Sequence, residues 1–180
     1  DGHGFSVEWI EKSKNAMESL IPAFNAQRMV MDYVRDFYSP AIRHGQLLHA
    51  DEYQVSKALA EWKHRVRESW PHVRAERLDL PADSIFRDDT FEVKVVVDLA
   101  GLSASDITVD CLVGTLDREG MFDRHSCFQL SHEEAEHDGK AVYSLSVTLA
   151  ESGKQCYKLR VYPYHPSLGQ RFETGAMIWL

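Results

Sequence analysis

The feature that most constrains this chain is a change of hydrophobic period close to Pro71. Before it, apolar residues recur every three or four positions, the repeat of one helical face. After it they alternate, the repeat of a strand with one covered face. A helix-period pattern does not settle as a strand, nor the reverse. The expected fold is therefore α+β, an N-terminal helical segment followed by an antiparallel immunoglobulin-like β-sandwich, with domains spanning residues 1–71 and 72–180.

Three helices are expected in the first segment. Ser6 is placed to cap a helix whose Trp9, Ile10, Met17, Leu20 and Ile21 approximate one face, and Pro22 breaks or kinks it near its end. Asn25 caps a second, with Met29, Val30, Tyr33, Val34 and Phe37 as its apolar positions; Ser39-Pro40 ends or bends it. Beyond the polar stretch His44-Gly45-Gln46, a third helix carries Val55, Leu59, Trp62, Val66 and Trp70 in a stripe. Lys57, Glu61 and Arg65 make i, i+4 pairs on another face, each worth only a few tenths of a kcal/mol, so the stripe decides how the helix sits. Aromatic residues at helical spacing read first as core.

The strands expected after Pro71 are Val73–Leu80, Phe91–Asp98, Ile107–Leu112, Ser126–Glu134, Ala141–Leu149, Lys154–Tyr162 and a short last one over Met177–Trp179. Asp138-Gly139 and Glu151-Ser152-Gly153 supply turns. Short antiparallel strands at this spacing point to a sandwich.

The net charge of −8 is unevenly placed. Residues 1–80 hold 11 Lys+Arg against 12 Asp+Glu, and residues 81–180 hold 9 against 16. An acidic second half repels phosphate backbones and anionic lipid, so neither nucleic acid nor membrane is an expected partner. No apolar run approaches the roughly 20 residues of a membrane span. Cys111, Cys127 and Cys156 show no CxxC spacing, which argues against a disulfide framework or zinc site and for a cytoplasmic location. The chain starts with Asp1 rather than Met, as a piece cut from something longer would.

Chemistry-bearing patterns are sparse. There is no G-x-S-x-G and no cysteine in a basic setting, and Gly2 and Gly4 are too thin for a phosphate loop. The pairs Asp88-Asp89 and Glu133-Glu134 read as solvated turns, because adjacent strand positions face opposite ways. His132 and His137 flank Glu133, Glu134 and Glu136, a weak metal candidate that reads better as a hairpin tip. No catalytic, cofactor-binding or metal residue is assigned. In Arg160-Val-Tyr-Pro-Tyr-His-Pro166, Pro163 and Pro166 keep the chain extended, and Tyr162, Tyr164 and His165 offer a stacking platform for a sugar ring or a seal for the end of a sandwich. With Trp179 these are the candidate glucan or partner contacts.

Three stretches carry a family resemblance. Trp9-Ile10 with Ser19-Leu-Ile-Pro-Ala-Phe-Asn-Ala-Gln-Arg-Met-Val-Met-Asp-Tyr33 and Tyr38 resembles the last helical segment of the α-glucan phosphorylases. Trp62-Lys-His-Arg-Val-Arg-Glu-Ser-Trp-Pro71 looks like the next helix of the bacterial branch. Arg160-Val-Tyr-Pro-Tyr-His-Pro-Ser-Leu-Gly169 and Phe172-Glu-Thr-Gly-Ala-Met-Ile-Trp179 are similar to its extreme C-terminus. The resemblance implies a parent enzyme that phosphorolyses α-1,4-glucans to glucose 1-phosphate with pyridoxal phosphate. The family's cofactor lysine lies upstream of the matched part, so neither Lys12 nor Lys14 takes that role. The chain is then a non-catalytic C-terminal fragment with a structural or assembly role, its partner the rest of the parent catalytic domain. The other reading is an independent carbohydrate- or protein-binding sandwich; a small enzyme in its own right is the third.

Overall fold

A computed structural model describes residues 4, 6–78, 90–133, 138–148 and 155–180. The expected turn at Glu151-Ser152-Gly153, the Asp88-Asp89 pair and residues 134–137 lie outside the described residues. The chain divides into two compact units, residues 1–53 and 54–180.

In the first unit, helix α1 (Val7–Leu20) starts where the Ser6 hydroxyl accepts the Trp9 N–H at 3.3 Å. Helix α2 (Ala26–Tyr33) starts at Asn25, whose side-chain oxygen accepts the Arg28 N–H at 2.8 Å. The Asn25 amide nitrogen meanwhile donates to the carbonyls of Ile21 and Pro22, at 2.9 and 3.0 Å. One side chain thus satisfies orphan groups at the end of one helix and the start of the next. Pro40 lacks an N–H and its ring crowds the carbonyl four residues back. The helix answers by widening into a π turn over Val34–Tyr38, where the Ser39 N–H reaches the Val34 carbonyl. It then runs on as α3 (Ser39–Ser69), so Pro40 distorts the helix without ending it. At residues 50–53 α3 leaves helical geometry, with Asp51, Glu52 and Tyr53 in left-handed conformations, and there the units divide. No described residue of the first unit is buried.

The second unit combines residues 54–69 of α3 with eight strands among the described residues. These are β1 (Arg74–Arg77), β2 (Thr90–Asp98), β3 (Ile107–Leu116), β4 (Phe122–Gln129), β5 (Ser131–His132), β6 (Lys140–Thr148), β7 (Cys156–Pro163) and β8 (Ile178–Trp179). They form two four-stranded antiparallel sheets, ordered β1-β2-β6-β5 and β4-β3-β7-β8. The alternation expected for residues 91–97 is met: Phe91, Val93, Val95 and Val97 are buried and pair with β6, where Ala141 and Tyr143 are buried too. Side chains of this sheet reach the second sheet and the turn that leads into it. Phe91 meets Tyr157 edge-to-face at 5.0 Å, and the Tyr143 hydroxyl donates to the Ala104 carbonyl at 2.9 Å.

The strand expected over Ser126–Glu134 is two. The chain changes sheets at Leu130, which is buried and donates its N–H to the Val109 carbonyl at 2.8 Å. A hairpin before β4 also escaped the periodicity. There Asp117 turns the chain by accepting the N–H groups of Glu119 and Met121 at 2.8 and 2.9 Å. Asp138 and Gly139, with φ of 53° and 72°, make the turn expected of an Asp-Gly pair.

Strand β3 is buried on both faces from Ile107 to Gly114. One face, through Val109, Cys111 and Val113, is the half of the alternation that packs as core. The other carries Thr108, Asp110 and Leu112 beside Tyr162, Arg160 and Lys158 of β7.

Candidate functional site

Polar side chains converge on that second face of β3. Asp110 pairs in register with Arg160 on β7, and its side chain has no exposed surface. Its Oδ2 accepts from Arg160 Nε at 3.0 Å, Arg160 Nη2 at 2.8 Å and the Tyr162 hydroxyl at 3.1 Å. Arg171 Nη1 stands at 3.5 Å from the same oxygen, while Oδ1 has no hydrogen-bond partner. The Arg160 guanidinium lies over the Phe172 ring at 4.8 Å, and Phe172 meets Tyr162 edge-to-face at 5.1 Å. Burial, and then the Asp110 carboxylate, push the Tyr162 phenol well above its ordinary range. The same two causes raise the Cys127 thiol, and the nearby Arg160 and Arg171 only partly offset them.

A second junction ties the helix to the sheets within this unit. Leu59, Trp62 and Val66 of α3 are buried. The Trp62 Nε1–H donates to Asp106 Oδ1 at 2.8 Å, and the His165 ring packs on the indole at 5.2 Å. Asp106 also closes the 3₁₀ turn before β3, its Oδ2 accepting the Ser103 N–H at 2.9 Å, and its carbonyl accepts the Tyr164 N–H at 2.8 Å. One residue therefore links helix, turn and the exit of β7.

The third junction is Glu173. It forms an ion pair with Lys63 and accepts the Gly169 N–H at 2.7 Å, and the Lys63 hydrogen bond holds its carboxyl below the usual range. Beside this pair lies an open cleft of about 430 Å³. Val66, Trp70, Pro71 and Ala176 give it an apolar wall, and Lys63, Arg67, Glu173 and Thr174 its polar groups.

The four contact candidates read from the sequence are placed differently from one another. Tyr162 is 1% exposed, its ring against Phe172 and its hydroxyl on Asp110. His165 is half-buried on Trp62, with Nδ1 accepting the Ser167 N–H at 3.1 Å. Tyr164 and Trp179 keep 39% and 53% of their surface exposed. Of the hairpin-tip group only His132 and Glu133 are described. His132 rests against Tyr143 at 5.5 Å, and Glu133 pairs with Lys94 at 2.9 Å. Among the described residues no group of three metal-ligating side chains is gathered, and no helix is long and apolar enough to cross a membrane.

Sequence reading missed Asp110, Asp106 and Glu173. Asp110 occupies what looks like a solvent-facing position of an alternating strand, and only its pairing with Arg160 and Tyr162 shows that the face is covered. The signal that was available is the stretch Arg160–Gly169, singled out for its shape, whose Arg and first Tyr both end on Asp110.

The paired lysines do not fit pyridoxal phosphate. A Schiff-base lysine needs a free amine facing an enclosed phosphate cradle. Lys63, which lines the cleft, is engaged by Glu173, Lys12 pairs with Glu8 in solvent, and Lys94 pairs with Glu133.

A sequence model of the family described as the glycogen phosphorylase C-terminal domain matches residues 70–180. The chain is similar to maltodextrin phosphorylase of Thermococcus litoralis, 32% identical over 176 residues, covering 96% of this chain and 20% of that protein. It is also similar to glycogen phosphorylase of Mycobacterium tuberculosis, 28% identical over 178 residues, covering 97% of this chain and 20% of that one. The chain thus spans about a fifth of the length of these relatives.

Proposed function

The chain belongs to the glycogen phosphorylase C-terminal domain family, and from that premise we propose that it is the non-catalytic C-terminal part of an α-1,4-glucan phosphorylase, with a structural or assembly role. The parent reaction is phosphorolysis of α-glucan to glucose 1-phosphate, with pyridoxal phosphate held by residues outside this chain. The observation that carries the reading is the bareness of the first unit. Its helices bury no described residue, and Trp9, Met17, Ile21, Phe24, Val30 and Phe37 are each more than half exposed. An apolar surface of that extent marks an interface, and the remainder of the parent catalytic domain is its partner in this reading. A further support is that Asp110, Asp106 and Glu173 are spent on holding the second unit together.

The second unit is read as an immunoglobulin-like sandwich. Strand orders β1-β2-β6-β5 and β4-β3-β7-β8 fit an A-B-E-D sheet against a C-F-G sheet widened by one strand. Cys111, Cys127 and Cys156 are thiols outside any disulfide, which suits a reducing cytoplasm.

Intact mass of the native gene product, read with its pyridoxal absorbance, tests the main reading. A polypeptide several times heavier than 20.6 kDa carrying the cofactor is expected. A native product of this size without cofactor refutes it and favours the binding module, for which exposed Tyr164 and Trp179 speak.

A further inference from the structure

The cleft between residues 63–71 and 173–176 shares Val66 with the second junction and the Lys63–Glu173 pair with the third, while its Arg67, Trp70 and Thr174 enter none of the three. We propose that it is a subsite for a neutral pyranose, the terminal unit of an α-glucan, and that Trp70 is its platform. The proposal rests on the phosphorylase reading for the identity of the sugar, and on the cleft for its place.

A pyranose presents an apolar C–H face and a rim of hydroxyls, each both donor and acceptor. The cleft has the matching halves. Trp70 and Pro71, with Val66 and Ala176, form the apolar wall against which a sugar face packs. On the polar side, the Lys63 ammonium and Glu173 carboxylate set a donor beside an acceptor. Two vicinal hydroxyls satisfy such a pair together without breaking it. Glu173 is held in place by the Gly169 N–H at 2.7 Å, so its geometry is preset before any sugar arrives. Arg67 has no ion-pair or hydrogen-bond partner among the described residues, and it adds a planar fork of donors. At about 430 Å³ the space lies within the roughly 300–1,000 Å³ of small-molecule sites. Because Lys63 and Arg67 stand in the lining with Glu173, charge alone does not tell a neutral sugar from a phosphorylated one, and a direct comparison of the two decides.

Titrating the chain with maltotriose, and in parallel with glucose 1-phosphate, tests this, with tryptophan fluorescence as readout and a melting curve for each variant as the folding control. Saturable binding of maltotriose is expected, about tenfold weaker in Trp70→Ala. It should weaken also in Arg67→Ala, an exposed helical position where the fold is not at risk, and stay unchanged in Trp179→Ala. Absence of saturable binding, equal affinity in Trp70→Ala, loss in Trp179→Ala alone, or tighter binding of glucose 1-phosphate than of maltotriose would each overturn it. Failure here leaves the phosphorylase reading standing, since that depends on the mass and cofactor of the native product. Conversely, a small cofactor-free native product removes that reading even if the cleft binds sugar.

Discussion

Replacing Asp110 by Ala tests whether the polar cluster on β3 holds the second unit together. The Asp110 side chain is fully buried and that of Arg160 only 15% exposed. Removing the carboxylate takes both guanidinium hydrogen bonds and the acceptor of the Tyr162 hydroxyl at once. It leaves a mostly buried cation that water reaches poorly. Breaking such a pair from one side costs about 3–5 kcal/mol, because the surviving charge is uncompensated. With a urea m-value of about 2 kcal/mol/M, the unfolding midpoint should fall by about 1.5–2.5 M. Removing both charges in Asp110→Ala/Arg160→Met should recover at least about 2 kcal/mol of that loss, since the remaining cation, Arg171, is about half exposed and stays solvated. The assay is urea unfolding followed by near-UV circular dichroism and tryptophan fluorescence, with Trp62 a buried reporter in the same unit. A midpoint shift below about 0.5 M for the single variant, or a double variant no better than the single, would refute the reasoning.

Three other consequences are open to measurement. Trp62→Phe keeps most of the buried ring but loses the hydrogen bond to Asp106, and should cost about 1–3 kcal/mol in the same unfolding assay, as expected when a part-buried acceptor loses its donor. Glu173→Gln tests the ion pair through pH: the folded carboxyl lies below its ordinary value, so its contribution is present above the unfolded pKa of about 4.3 and is lost as pH falls through the folded one. Because Lys63 and Glu173 are each about a third exposed, the wild-type advantage at pH 7 should be no more than about 1 kcal/mol, and the two melting curves should converge in acid. Cys127, though accessible, should react with a disulfide reagent at pH 8 more slowly than a free cysteine, because partial desolvation of its sulfur and the Asp110 carboxylate disfavour its thiolate; fully buried Cys111 should react only on unfolding.

Much of the local structure could be read from the chain itself. Ser6 and Asn25 cap the helices they were expected to cap, since a cap needs only a short polar side chain three residues ahead of its N–H. Residues 91–97 alternate as read, and Asp138-Gly139 turns as read, because period and positive φ are local properties. Pro40 was legible as a disturbance and not as its outcome, for whether a helix stops or widens at a proline depends on how the residues on either side of it pack. The division of Ser126–Glu134 at Leu130 was not legible, because the run is continuous in sequence and only the partners of its two halves differ.

The candidate site divides on the same line. Residue types, periods, caps and turns determined the helical segment, the strands and the family-like ends, each acting over a few positions. Tertiary structure alone decided that Asp110 is buried beneath Arg160 and Tyr162, that Trp62 reaches Asp106 across 44 positions, and that Lys63 finds Glu173 across 110. Those contacts depend on which surfaces the fold brings face to face. A carboxylate on an alternating strand is the same letter whether water or a guanidinium covers it.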